Sequence, residues 1–221
     1  MSLTVEILIK EAKEFSVDES KHSEPTLYGV TDGKAVGTYL EHKFRYRLEE
    51  RYKFNAGSSA RGIDFPDLLV DMKVTSIRQP QSSCPYKSPE QKIFGLGYSL
   101  LLFVYDKKDD SNKQVSTLNV IHSIFVNHKR TADYQMTRGI LDILGKNGNK
   151  DDLIAFMNDR NLPVDDIGAN KIAEKILKNH PNQGFLTISN ALQWRLQYSR
   201  VIEYAGLENG IVLVYREPEY E

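Results

Sequence analysis

The hydrophobic period of the chain changes in its second quarter, and that change limits the folds open to it. Over residues 34–52, Val36, Tyr39, Leu40, Phe44 and Leu48 recur at helical spacing. Asp32-Gly33 in front of them supplies a helix start, with Asp32 near the N-cap. After the Gly/Ser-rich loop 55–61 the period shortens. Residues 62–65 and 69–76 read as two strands joined tightly through Pro66-Asp67. Residues 97–105 read as a third strand, central because Leu100 to Tyr105 is an unbroken apolar run. A charged turn is expected at 106–113 and a fourth strand at 115–126.

Helices bracket these strands. Val5, Leu8, Ile9 and Ala12 predict a short helix over 3–15, although Leu3, Val5, Ile7 and Ile9 also alternate as a strand start would. Helices are expected at 151–160, 167–178 and 188–204, and a last strand at 211–216. Residues 16–25 and 77–88 read as polar loops, the second leading into a short helical stretch at 88–94. Strands in the middle with helices at either end predict an α/β or α+β domain around one sheet. At 221 residues the chain is expected to be a single domain, 1–221, in which 131–210 is a mostly helical region available for recognition.

Composition closes several classes. With 40% apolar and 27% charged residues the chain suits a globular core. No apolar run approaches the roughly 20 residues that cross a bilayer, so no membrane association is expected. The start lacks the basic-then-apolar pattern of a secretion signal. The one cysteine, Cys84, excludes an internal disulfide and points to a reducing, cytoplasmic setting. Five scattered histidines add no zinc or general-base spacing. With 29 basic against 30 acidic residues the chain is no polycation, but a neutral chain can carry a basic cleft. There is no Gly-x-x-x-x-Gly-Lys-Ser/Thr loop for a nucleotide.

The segment 61–76 carries the chemistry. Side chains alternate along a strand, so Asp71 and Lys73 point one way while Val70, Met72 and Val74 point into the core. A reversal near Asp67-Leu68 brings Asp64 beside Asp71, with Asp67 as a turn residue. Two adjacent carboxylates raise each other's pKa. A hard cation such as Mg²⁺, which takes one or two protein carboxylates plus waters and phosphate oxygens, relieves that repulsion. Lys73 beside a scissile phosphate would orient or deprotonate the attacking water and stabilise transition-state charge. An acid and a lysine at i and i+2 also occur as plain surface charges; the preceding Asp64-Phe65-Pro66 and the upstream Glu41 argue for a site.

Asp64…Asp71-Met72-Lys73 resembles the PD-(D/E)xK nuclease signature. Asp64-Phe65-Pro66…Leu68…Val70-Asp71-Met72-Lys73 is similar to the active-site hairpin of the methyl-directed mismatch-repair endonuclease (MutH type) and its restriction-enzyme relatives. Gly37-Thr38-Tyr39-Leu40-Glu41 is similar to that family's Gly-x-x-Leu-Glu helix, whose glutamate lies near the metal site. Lys34 sits one position nearer Gly37 than the family's lysine and takes no role; Asp71 stands where the family usually has Glu. The match covers about 33–76 and extends weakly to Gly184-Phe185-Leu186…Arg200.

The resemblance implies a restriction-endonuclease-like α/β fold, a central mixed β-sheet flanked by helices. It implies a type II restriction endonuclease that hydrolyses double-stranded DNA at a specific sequence with Mg²⁺. Asp64, Asp71 and the Met72 carbonyl would hold the metal, Glu41 would tune the site or bind a second metal, and Lys73 would position and activate the water. Attack in line with the 3′ oxygen would leave a 5′ phosphate. Cutting both strands of a palindrome calls for a homodimer. The alternatives are a monomeric mismatch-repair-type nicking endonuclease, or a non-catalytic DNA-binding protein on a nuclease scaffold. Intact Asp64, Asp71 and Lys73 argue against the last.

Candidate DNA contacts flank this core. Arg78, Gln79 and Gln81, in the loop leaving the catalytic strand, carry the groups that read guanine and adenine edges. Gln193, Arg195, Gln197 and Arg200 are placed to touch bases or phosphates, with Trp194, Leu196 and Val201 as the packed face of a helix. Lys92 reads either as a solvated lysine or as the second lysine that the mismatch-repair type takes from a comparable place.

Overall fold

The computed structural model describes residues 1–55, 57, 62–85, 87–189, 194–218 and 220. Helix α1 (Val5–Glu19) starts at Thr4, whose side chain accepts the Ile7 N–H. Strand β1 (Ser23–Glu24) interrupts the expected polar loop. Helix α2 (Gly33–Glu49) starts at Asp32, whose carboxylate accepts the Lys34 N–H at 3.0 Å as the sequence predicts. Leu8, Ala12 and Phe15 of α1 and Val36, Leu40, Phe44 and Leu48 of α2 are buried against one face of a sheet.

Among the described residues that sheet has five strands. Strand β2 (Val70–Ser76) runs parallel to β4 (Ser99–Asp110), and β4 pairs antiparallel with β5 (Val115–Val126). Strand β8 (Ile211–Arg216) and β1 both pair antiparallel with β5. The sheet is therefore mixed, with helices on its face, an α/β restriction-endonuclease-like arrangement. Alternation along β4 explains the apolar run. Leu101, Phe103 and Tyr105 face α1 and α2, whereas Leu100, Leu102 and Val104 face the other side. Phe103 meets Phe15 and Phe44 at centroid distances of 5.7 and 5.2 Å. The expected charged turn at 106–113 is mostly strand. Pairing continues to Asp110 opposite Val115, and the charges stand on a ladder that emerges into solvent.

The opposite face carries a second, three-stranded sheet, so the expectation of one sheet is corrected. Strand β3 (Gln81–Cys84) lies inside the segment expected to be a loop. It pairs with β7 (Trp194–Gln197), which pairs with β6 (Thr187–Ile188). The expected helix 188–204 is likewise replaced by β6, β7 and the short helix α7 (Ser199–Tyr204). Trp194, Leu196 and Tyr198 are buried while Arg195 and Gln197 are exposed, a period of two that tertiary packing selects over the helical one.

Helix α3 (Gln91–Phe94) corresponds to the stretch 88–94. Helices α4 (Tyr134–Gly145), α5 (Lys150–Asp159) and α6 (Asp166–Lys178) pack on it around Ile93, Met136, Ile140, Leu153, Met157 and Ile172. Helix α4 went unread in the sequence. Asp133 caps it and also accepts the Ile188 N–H, tying this layer to β6. Among the described residues no helix is long and apolar enough to cross a membrane.

Candidate active site

The site begins with a reversal of fixed length. Phe65 and Val70 exchange backbone hydrogen bonds of 2.9 and 3.2 Å around the single helical turn Pro66–Leu68. The expected strand 62–65 is thereby reduced to one bridge at Phe65. The turn closes because Leu69 adopts φ of 51°, the left-handed region that non-glycine residues enter reluctantly. Asp64 is carried alongside β2, where its Oδ2 accepts the Met72 N–H at 2.9 Å.

Strand β2 pairs with β4 on one side, and Met72 turns its amide away from β4 toward Asp64. The N–H and C=O of one strand residue point to the same side, so the Met72 carbonyl accompanies its amide toward Asp64. Met72 itself is fully buried in the helix-side core with Val70. Asp71 and Lys73 alternate away from them. Asp71 is 3% exposed, and its Oδ2 lies 2.7 Å from the Lys73 ammonium. Oδ2 is therefore a buried carboxylate oxygen whose neighbour is that ammonium.

Electrostatics ties the group together. Burial raises the Asp71 pKa, the Lys73 charge opposes the rise, and Asp64 adds to it. Burial alone would lower Lys73, but Asp71, then Asp64 and Glu41, hold it above the ordinary lysine range as an ammonium. Glu41, on α2, is pushed up to about 7 by burial and then by the Asp64 charge, with Lys73 acting the other way. The structure thus brings Asp64, Asp71, Lys73 and Glu41 into one mutually interacting set.

Arg45, one helical turn beyond Glu41, joins that set and was missed in the sequence. Its Nη2 lies 2.5 Å from Asp64 Oδ1, and its Nε is buried without a partner. The i, i+4 spacing from Glu41 was the available signal.

Among the described residues no group of three or more His, Cys, Asp or Glu side chains is disposed to hold a metal ion. Mg²⁺ asks for less: one or two carboxylates and a carbonyl, the rest water and phosphate. Asp64, the Met72 carbonyl and the buried Asp71 Oδ2 fit that donor set by the chemistry of their oxygens.

Glu41 and Lys73 open onto a cleft of about 1080 Å³ between α2, β2 and β3. Its walls carry Lys34, Lys73, Arg78, Lys107 and Arg195 with Glu41 and Asp109, and Lys73, Arg78 and Lys107 are paired with Asp71, Asp106 and Asp109. Arg78, Gln79, Gln81 and Arg195, four of the candidate contacts, all line it. Arg78 is 79% exposed, 3.7 Å from Asp106. Lys34, given no role from the sequence, lines it too.

Two expected contacts lie elsewhere. Lys92 is buried beside Asp133, and burial lowers its pKa while Asp133 opposes; the solvated reading is corrected. It borders a smaller cavity of about 310 Å³ with Asp133 and Arg160. Arg200 stacks 3.9 Å over the Tyr134 ring. Gln193 lies outside the described residues.

The family model described as Type II restriction enzyme NspV matches residues 2–213. The chain is 70% identical over 214 residues to the type II restriction enzyme NspV of Nostoc sp. (strain ATCC 29411 / PCC 7524), covering 97% of each protein. No solved structure matches the chain.

Proposed function

This chain belongs to the family of the type II restriction enzyme NspV, and on that premise we propose that it cuts double-stranded DNA at a specific sequence as a Mg²⁺-dependent endonuclease of the PD-(D/E)xK superfamily. The observation that carries the catalytic part is the meeting of Asp64 and Asp71 beside Lys73, with Asp71 buried and its Oδ2 2.7 Å from the Lys73 ammonium. In this mechanism Asp64, Asp71 and the Met72 carbonyl hold Mg²⁺, and Glu41 tunes their charge or contributes to a second ion. Bound there, Mg²⁺ supplies Lewis-acid stabilisation of charge on the phosphate oxygens.

The remaining work falls to this chain's own groups. Lys73, 2.7 Å from Asp71 Oδ2, positions and activates the water and offsets charge building on the phosphoryl oxygens. Water forms the new bond to phosphorus in line with the departing 3′ oxygen, which leaves with a proton, and a 5′ phosphate results. Lys34 and Arg78 neutralise backbone phosphates along the cleft. A homodimer presents two such sites to a palindrome. The protein works in the cytoplasm, where its substrate is.

The test is incubation of a long DNA of varied sequence with protein and Mg²⁺, followed by sequencing of the ends. Discrete fragments sharing one sequence at their termini are expected. No cutting with Mg²⁺ or Mn²⁺ would leave only a DNA-binding protein. Plasmid nicking without linearisation, with a monomer in sedimentation, would favour the mismatch-repair-type activity.

A further inference from the structure

We infer that the solvent face of the three-stranded sheet β3–β7–β6 is the base-reading surface of the cleft. On this face Gln81 and Gln197 address adenines and Arg195 a guanine through the major groove. The inference rests on the endonuclease function proposed above and names the part of the chain that selects the sequence.

Register sets the arrangement. Gln81 lies directly opposite Gln197, and Ser83 directly opposite Arg195. Directly opposed residues of an antiparallel pair share a face. Trp194 and Leu196, which alternate with Arg195 and Gln197, are buried. The outer face is therefore a patch of Gln81, Ser83, Arg195 and Gln197, continued by Thr187 beside Gln197. Gln81, Ser83 and Arg195 line the same cleft as Glu41 and Lys73.

The chemistry of the patch suits base edges better than phosphates. Glutamine presents one donor and one acceptor, the pair that meets adenine N6 and N7. The arginine fork meets guanine O6 and N7. These residues bring no carboxylate to oppose a polyanion. A two-stranded ribbon fits the major groove, which is about 12 Å wide. Same-face neighbours along a strand are roughly 6.6 Å apart, two residues at ~3.3 Å each, which spans about two base-pair steps.

The sheet is also tied to the catalytic strand, which a merely solvated face does not require. Thr75, two residues beyond Lys73 on β2, accepts the Gln81 N–H on its hydroxyl at 2.9 Å. That hydroxyl also lies 3.1 and 3.2 Å from the carbonyls of Gln81 and Gln79. On the far side Tyr198 donates its N–H to Pro80 O at 2.8 Å, and its hydroxyl meets Ser82 Oγ at 2.5 Å. A base edge engaged by Gln81 is thus held at a fixed offset from Lys73 through a short chain of hydrogen bonds.

Binding to a randomised DNA pool, with Ca²⁺ in place of Mg²⁺ and sequencing of bound molecules, tests the assignment in the full-length protein. It is read beside cleavage in Mg²⁺ for wild type, Arg195→Ala, Arg195→Lys and the pair Gln81→Ala/Gln197→Ala. Each variant is expected to lose preference at its own base-pair positions by roughly 10- to 100-fold while other positions keep theirs. Arg195→Lys keeps the charge but not the fork and should relax the same position as Arg195→Ala. Uniform weakening over all sequences would make Arg195 a phosphate contact and overturn the inference. So would unchanged preferences in all variants, or a wild type that binds without preference. The two readouts fail separately. Selective binding lost in the variants, with no cutting by wild type, keeps the reader and sinks the endonuclease. Selective cutting unchanged in every variant does the reverse.

Discussion

The guanidinium of Arg45 lies 2.5 Å from Asp64 Oδ1, while Asp64 Oδ2 takes the Met72 N–H at 2.9 Å. One oxygen of a proposed metal ligand is thus met by a permanent cation and the other by the backbone of the catalytic strand. A divalent ion bound to Asp64 shares it with Arg45, and positive charges that close repel even at a high effective dielectric. Arg45→Gln is therefore expected to tighten Mn²⁺ binding by roughly tenfold, about 1.4 kcal/mol. Calorimetric titration without DNA measures it. Weaker binding would mean that Arg45 serves chiefly to hold the carboxylate in place.

Asp71, buried, and Lys73, half-buried at the cleft wall, form a second pair 2.7 Å apart. Removing one member of a buried pair strands the other charge, whereas removing both leaves none. Lys73→Met should abolish cleavage, keep DNA binding, and destabilise the fold by about 1–3 kcal/mol near neutral pH. Its stability should recover as pH falls and Asp71 takes up a proton. The double variant Asp71→Asn/Lys73→Met should regain most of the lost stability without regaining cleavage. Denaturant melts of the four proteins close the cycle. Additive losses would show that the two charges are independent.

Glu41 predicts a pH dependence of opposite sign to that of a salt-bridged acid. Its carboxyl is pushed up to about 7 by burial and by Asp64. Between the ordinary glutamate range and pH 7 the folded chain holds a proton that the unfolded chain has released. The stability due to this group is thus full below about pH 4.5 and falls as pH rises through about 7. Glu41→Gln is expected to flatten that segment of the metal-free stability curve and to raise stability at pH 8 by roughly 1–3 kcal/mol. Thermal melts in EDTA from pH 5 to 8 provide the check. An unchanged slope would show that Glu41 ionises freely.

What could be read from the sequence follows the range of the interactions involved. Strand 115–126, the closing strand 211–216 and the Asp32 cap rest on local signals, and the structure has them at those residues. Asp64 was legible as a neighbour of β2 because a proline-containing reversal of fixed length joins them. Strand β3 was not, since Gln-Ser-Ser-Cys has no apolar alternation and becomes a strand only by pairing with residues more than a hundred positions away. The same partnership misled the reading of 188–204. Trp194, Leu196 and Val201 read as the packed face of a helix, and only the sheet made with β3 selects the two-residue period of Trp194, Leu196 and Tyr198. Arg45 looked like one more charge on a charged helix, because its partner Asp64 lies across the site.

The cleft gives a final, quantitative expectation. Each phosphate neutralised by a side chain releases condensed counterions, so log affinity falls with log salt by about 0.9 per contact on duplex DNA. Lys34 and Arg78 line the cleft and are solvent-exposed, so removing either leaves the core intact. Lys34→Ala and Arg78→Ala are each expected to reduce the salt slope by roughly 1 and to weaken binding about equally on every sequence. Fluorescence anisotropy against two unrelated duplexes at several salt concentrations measures both effects. A loss confined to one duplex would move the residue from the phosphate backbone to the bases. An unchanged slope in both variants would show that duplex DNA does not run along this wall of the cleft, and its path past Lys73 would have to follow another.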